Sequence, residues 1–285
     1  MSVGTGTVAP REPGGIRLSR TDRPEVIVAE VARSRARARV RFRSLFVLTW
    51  LILVGGLVVA IASTGRISTA FLDEYGLFIL GGIPITIGVS IASIFFATIF
   101  ALFGALGRLS KVAPIYATAT LYVSLVRGTP LIVQIFFVYA ALPEFGIVLP
   151  GFIAGIFALS FNYGAYMTEI FRAGIQAIPR GQIEAAAALG MTESQTMRRV
   201  VLPQAIRIVI PAIGNEFIAM IKDSALVSFV ALQELFWRAR TTGSAQFQQF
   251  TSLMLAALVY WLLTMVFSLV QERLEKRMAE SEVRL

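Results

Sequence analysis

Residues 178–204 read IPRGQIEAAAALGMTESQTMRRVVLPQ, a polar stretch in a chain that is otherwise mostly apolar. Pro179 suits the first turn of a helix, Glu184 stands near the positive end of its dipole, and residues 185–188, all alanine, favour helix as strongly as sequence allows. Gly190 stops that helix, because glycine takes the left-handed conformation at little cost. Thr192-x-x-Gln195 then has the form of a capping box that opens a second helix at once. The expected unit is helix, tight turn, helix. Beside Glu184 the first helix presents only alanine methyls, so the backbone or side chains of another protein can come close to it. Alanine-rich helices ended by glycine are common in any fold, so the weight of this reading depends on what surrounds the stretch.

The composition of the whole chain supplies that setting. It has 285 residues, 56% hydrophobic and 15% charged, whereas about a quarter of an ordinary soluble domain is charged. This is the balance of an integral membrane protein. The net charge of +9 would suggest nucleic acid in a soluble chain. Here the basic residues read as topology signals at the cytoplasmic face, and no nucleic-acid partner is expected. Zero Cys and zero His exclude disulfides, thiol and imidazole chemistry and the usual transition-metal ligands. Lys111, Lys222 and Lys276, the only lysines, follow no glycine-rich loop, so the chain has no P-loop to cradle a nucleotide. No Gly-x-Ser-x-Gly elbow is present either. The chain is therefore not expected to be an enzyme, and if ATP drives it, another chain hydrolyses the ATP.

Residues 1–43 are rich in Gly, Pro and Arg and are expected to form a basic, disordered cytoplasmic tail. Arg33, Arg35, Arg37, Arg39, Arg41 and Arg43 alternate just before the first apolar run. They read as a positive-inside anchor, with contact to anionic membrane lipid as the functional alternative. About six transmembrane helices follow, since a core of about 30 Å needs about 20 helical residues. The expected spans are 44–63 within an extra membrane segment 44–65, one within 75–107, a third region 112–142, then 145–168, 206–230 and one within 245–270. Pro84 favours a kink in the second, and Gly81, Gly82, Gly88 and Gly104 permit close helix contact. The run Arg127-Gly128-Thr129-Pro130 interrupts the third. With the amino terminus inside, most of the 26 basic residues fall on the cytoplasmic side, the loop 178–204 is cytoplasmic, and so is a carboxyl-terminal tail 271–285.

Polar residues inside the membrane are where a solute pathway would be built, since a charge at mid-membrane costs about 2.5–3.5 kcal/mol on the insertion scale. Glu216 lies about 15 Å into its helix, near the bilayer centre. Asn215 and Lys222 are seven residues apart, as are Glu216 and Asp223, so each pair falls on nearly one helix face. Arg127 stands at the break of the third span, where Gly128 and Pro130 can leave it at the interface. Asn162 and Tyr163 are further candidates. Each could instead hydrogen-bond between helices for packing alone, and Glu216 could pair with a buried cation such as Arg127.

In Glu184-Ala185-Ala186, Gly190, Val200 and Leu202-Pro203, the spacing resembles the EAA loop of ABC-importer permeases, with Val200 where isoleucine is usual. The likeness continues in RGTPLIVQIFFVYAALP (127–143), LSFNYGAYMTEIFR (159–172) and LPQAIRIVIPAIGNEFIAMIKDSAL (202–226), which look like the blocks of permeases for polar amino acids. It covers about 75–270. The resemblance implies the type I importer permease fold, a polytopic all-α membrane domain over 75–270, here with the extra amino-terminal span. It implies a permease subunit that carries a polar amino acid across the cytoplasmic membrane. It also implies a cytoplasmic ABC ATPase dimer that binds ATP and Mg, a second permease subunit, identical or related, and an external solute-binding protein. Onto the coupling loop it maps Arg180, Gly181, Gln182, Glu184, Ala185, Ala186, Gly190, Leu202 and Pro203. Ala225 departs from the family's usual serine, and residues 1–74 add to its usual five spans. An ATP-independent carrier or channel, a permease for another small solute and a membrane scaffold are the alternatives. The chain lacks the internal repeat common in carriers, and a scaffold has no use for Glu216.

Overall fold

The computed structural model describes residues 24–230 and 232–282. All regular elements there are helical, and the chain divides into two compact units, residues 1–65 and 66–285. Over its described part the first unit is one helix, α1 (Pro24–Ser63). It begins well before residue 44, so part of the stretch expected to lack structure is helix. Residues 1–23 lie outside the described part. The physical reason is that Arg, Ala, Val and Glu are adequate helix formers, and adding turns to an existing membrane helix avoids the cost of a nucleus.

The second unit comprises α2 (Thr69–Leu80), α3 (Ile83–Arg108), α4 (Ala113–Arg127), α5 (Leu131–Phe136), α6 (Gly151–Gln176), α7 (Arg180–Ala188), α8 (Glu193–Thr196), α9 (Leu202–Asp223), α10 (Leu235–Ala245) and α11 (Gln249–Glu282). The expected second span is α2 with α3, broken at the turn Gly81–Gly82 and restarted with Pro84 in the first turn of α3. The expected fifth span is α9 followed by a 3₁₀ turn, Ser224–Val230. Among the described residues four helices are long and apolar enough to cross a membrane, and the α4–α5 pair, bent by 106°, would make a fifth. The expected span 145–168 is replaced by α6, which runs from Gly151 to Gln176, is about 39 Å long and is not among those five. Its polar residues lower its hydropathy, and it is the helix most enclosed by others.

Packing around α6 is set by small residues. A Cβ on Gly104 of α3 would lie 2.1 Å from Thr168 Oγ1, and one on Gly164 of α6 would lie 2.6 Å from the Phe100 Cβ. With Ala97 and Ala101 also fully buried, α3 and α6 approach closely and form the largest helix interface. Gly81 and Gly82 likewise accommodate Arg238 and the Leu235 backbone, whereas Gly88 faces open space and makes no close contact. Ser160 donates to the Ser93 carbonyl at 3.1 Å and Tyr122 to the Phe161 carbonyl at 2.7 Å, so backbone groups join α6 to α3 and α4.

Within the second unit α10 packs on α11 and α2. Its N-cap is Glu234, wholly buried, whose carboxylate accepts from the Phe236 and Trp237 amides at 2.8 and 2.7 Å and from the Tyr260 hydroxyl at 2.6 Å. A buried carboxylate is tolerable only with such a full set of donors. Gln271 of α11 donates to the Pro211 carbonyl at 2.7 Å, reaching α9 over Gly214.

Candidate functional site

The loop 178–204 folds as its sequence indicates. Pro179 is the residue just before α7, one place earlier than first-turn proline, and its carbonyl accepts the Gln182 amide at 3.0 Å. At the other end of α7 the Met191 amide donates to Ala186 O at 3.1 Å and the Gly190 amide to Ala187 O at 2.9 Å, with Gly190 at φ +77°. This double closure needs a left-handed residue, which glycine supplies without strain. The capping box closes as expected: Gln195 N donates to Thr192 Oγ1 at 3.3 Å and Thr192 N to Gln195 Oε1 at 2.9 Å. A π turn, Met197–Val201, then runs without interruption into α9.

Arg180, Gly181, Gln182, Glu184, Ala185 and Gly190 are exposed, while Ala186 is 3% exposed and turned inward. Leu202 and Pro203 are exposed at the start of α9. Beneath the loop a small apolar core of Ile178, Val201 and Ala205, with Ile175, ties the end of α6 to the beginning of α9. Gly174 brings the two closer still, since a Cβ there would lie 2.5 Å from Val209 Cγ2. This core therefore holds together the two ends of the loop, where α6 leads in and α9 leads out.

Further along these two helices is a polar cluster. Tyr163 of α6 donates to Asp223 Oδ2 of α9 at 2.7 Å. Asn162 donates to Gln134 Oε1 at 3.1 Å. Gln134 Nε2 in turn donates to Val126 O at 2.7 Å and Thr129 Oγ1 at 2.8 Å, bracing the elbow between α4 and α5. At that elbow the Arg127 guanidinium lies 5.2 Å above the Tyr166 ring, a cation–π contact. Asn162 and Tyr166 are four residues apart and face the elbow; Tyr163, one position round the helix, faces α9.

Of the sequence candidates, the structure joins Asn162, Tyr163 and Asp223 to neighbouring helices and leaves Arg127 exposed over Tyr166. Arg127 does not pair with Glu216. Half-buried Glu216 makes no side-chain hydrogen bond or ion pair among the described residues, though it lies near enough to Asp223 for the two carboxyl groups to interact. Asn215 and Lys222 are exposed on the neighbouring face of α9, as their spacing implied. The sequence reading missed Gln134, Thr129 and Tyr166. A lone glutamine in the apolar run LIVQIFF was a usable signal for the first; Thr129 was read only as part of the break 127–130, and nothing local marked Tyr166.

The profile of the family described as "Binding-protein-dependent transport system inner membrane component" matches residues 94–280. The L-cystine transport system permease protein TcyB of Bacillus subtilis is 43% identical over 199 residues, which cover 70% of this chain and 85% of that one. The arginine transport system permease protein ArtQ of the same organism is 36% identical, covering 72% and 94%. Among solved structures, the crystal structure of an amino acid ABC transporter with histidines is similar at 38% identity and a TM-score of 0.71, covering 74% of this chain and 99% of that one.

Proposed function

The chain belongs to the family of binding-protein-dependent transport system inner membrane components, and on that premise we propose that it is the permease subunit of an ATP-driven ABC importer for a polar amino acid. The observation that carries the substrate class is the likeness, over nearly the whole of the relatives' chains, to permeases named for amino acids and to an amino acid ABC transporter of known structure. The site chemistry agrees with it. A zwitterion needs partners of both signs, and α6 has cationic Arg127 on one side and acidic Asp223 and Glu216 on the other.

In this reading the loop 178–204 is the ATPase-coupling element, with exposed Glu184 and the alanine face of α7 as its contact surface. The partner is a cytoplasmic ABC ATPase dimer, which binds the ATP and Mg that this chain has no P-loop to hold. A second permease subunit, a copy or a relative, completes the pathway, and an external solute-binding protein delivers the amino acid. The protein sits in the cytoplasmic membrane with both termini in the cytoplasm, the orientation favoured by its basic residues. ATP-driven movement of the partner pulls on α7, the apolar core under the loop passes that movement to α6 and α9, and the polar cluster between them changes its access from one side to the other.

The test is purification of the tagged chain from its native membrane. A copurifying ABC ATPase, and uptake of an amino acid that requires ATP, are the expected results. Solute movement by the chain alone, with no ATPase attached, would replace the importer with a carrier or channel.

A further inference from the structure

The arginines before the membrane segment of α1 are absorbed by no part of the transport mechanism. Because α1 is an uninterrupted helix from Pro24 to Ser63, their alternation places them on two opposite sides. At 100° per residue, Arg33 and Arg37 fall on one side, and Arg35 and Arg39 on the other. The second side is distinguished by its aromatic continuation. Phe42, Phe46 and Trp50 extend the same stripe toward the apolar half of the helix, the five side chains lying within an arc of about 80°.

The contacts along the stripe are regular. The Phe42 and Phe46 rings stack with centroids 6.4 Å apart, and Phe46 and Trp50 repeat that spacing. Arg35, Ala38, Arg39 and Phe42 together line a shallow open notch at its polar end. Phe42, Phe46 and Trp50 are 70%, 53% and 42% exposed, and neither Arg35 nor Arg39 forms an ion pair among the described residues. Two guanidiniums thus sit above a ladder of aromatic rings that descends from the polar part of the helix into its membrane-spanning part.

We propose that this face of α1 is a binding site for one anionic phospholipid, with the phosphate held by Arg39 and Arg35 and an acyl chain lying along Phe42, Phe46 and Trp50. Dimensions and charge argue for this occupant. Arg39 and Trp50 are about 16 Å apart along the helix axis, close to half the bilayer's hydrocarbon core of about 30 Å. An amphiphile with its anion at the headgroup level and its chain reaching mid-bilayer matches that length. A soluble acidic protein could satisfy the arginines and would leave the rings uncovered. The opposite side, with Arg33 and Arg37, has the same charge and supplies an internal control.

The experiment uses the full chain with Trp237→Phe and Trp261→Phe, leaving Trp50 as the one tryptophan of three, reconstituted in phosphatidylcholine vesicles. Quenching of Trp50 is measured with phosphatidylglycerol or phosphatidylcholine brominated at mid-chain. The anionic lipid is expected to be preferred on the order of fivefold at low salt. Arg35→Gln with Arg39→Gln should bring the ratio to near one, and Arg33→Gln with Arg37→Gln should leave it unchanged. Equal quenching by both lipids would overturn the site. So would a preference that survives Arg35→Gln with Arg39→Gln, or one lost equally with either pair, since the charge then acts without a defined face.

Discussion

The Tyr163 hydroxyl donates to Asp223 Oδ2 across 2.7 Å, joining the two helices that lead into and out of the loop 178–204. Tyr163 stands about 20 Å from the loop end of α6. The bond therefore lies far from where the ATPase would act, on the same two helices. Its removal tests whether the latch belongs to transport. Tyr163→Phe keeps the ring and deletes the donor, at a cost of about 1.5–3 kcal/mol for a bond to a charged acceptor. The variant is expected to accumulate in the membrane at reduced thermal stability and to lose most uptake while the complex still hydrolyses ATP. Uptake at the unsubstituted rate would remove the latch from the mechanism.

Glu216 is half-buried and lacks an ion-pair partner among the described residues, so neutralising it strands no buried cation. Glu216→Gln should insert at normal abundance, whereas breaking a buried pair would cost about 3–5 kcal/mol. Transport is expected to fall and the preference among amino acids to change, as read by competition for uptake. Normal abundance with unchanged rate and preference would take Glu216 out of the pathway.

At the coupling loop, Glu184→Lys reverses the charge of an exposed side chain and Gly190→Val forces a β-branched residue to φ +77°. The second costs about 1–2 kcal/mol of backbone strain, too little to unfold a membrane domain and enough to distort the turn. Both proteins should reach the membrane in full amount and fail to import. Pull-down of the ATPase should weaken in step, and retained ATPase binding with normal import would refute the docking assignment.

Orientation can be read with single cysteines, because the chain has none. Thr192→Cys is expected to be shielded from an impermeant thiol reagent in intact cells and to react after permeabilisation. Glu74→Cys, exposed on α2, is expected to react in both. Labelling of position 192 from outside would invert the topology.

Glycine contacts differ sharply in rigidity. A Cβ on Gly82 would lie 2.5 Å from Leu235 Cα and N, backbone atoms that cannot step aside, whereas one on Gly88 meets nothing within 4 Å. Gly82→Ala should destabilise the protein by about 1–3 kcal/mol through overpacking. Gly88→Ala should stabilise α3 by about 0.5–1 kcal/mol through helix propensity. Thermal melting in detergent separates the two, and equal melting temperatures would contradict the close packing of Gly82 on α10.

Much of this protein could be read from sequence because the membrane simplifies the problem. Apolar runs long enough to span declare themselves, and backbone groups in lipid must be satisfied within a helix. The turn at Gly190 and the capping box at Thr192 were equally legible, since both depend on bonds between residues close in the chain. Lone polar residues such as Asn162 and Tyr163 stood out against an apolar background for the same reason.

Partnership was a different matter, because it depends on which helices touch and at what height. Two acids on one face of α9 gave no hint that Asp223 would be bonded to Tyr163 while Glu216 would not be bonded at all. The break at residues 127–130 was legible, but not its angle of 106°, which sets Arg127 over Tyr166 and Gln134 against Asn162. The buried Glu234 knot joins residues from three distant segments. Sequence alone determined the apolar runs, the local turns and the family resemblance, all governed by short-range propensity and by solubility in lipid. Only the tertiary structure decided which polar side chains meet, because hydrogen bonds between helices act over about 3 Å and the chain's order does not encode such distances.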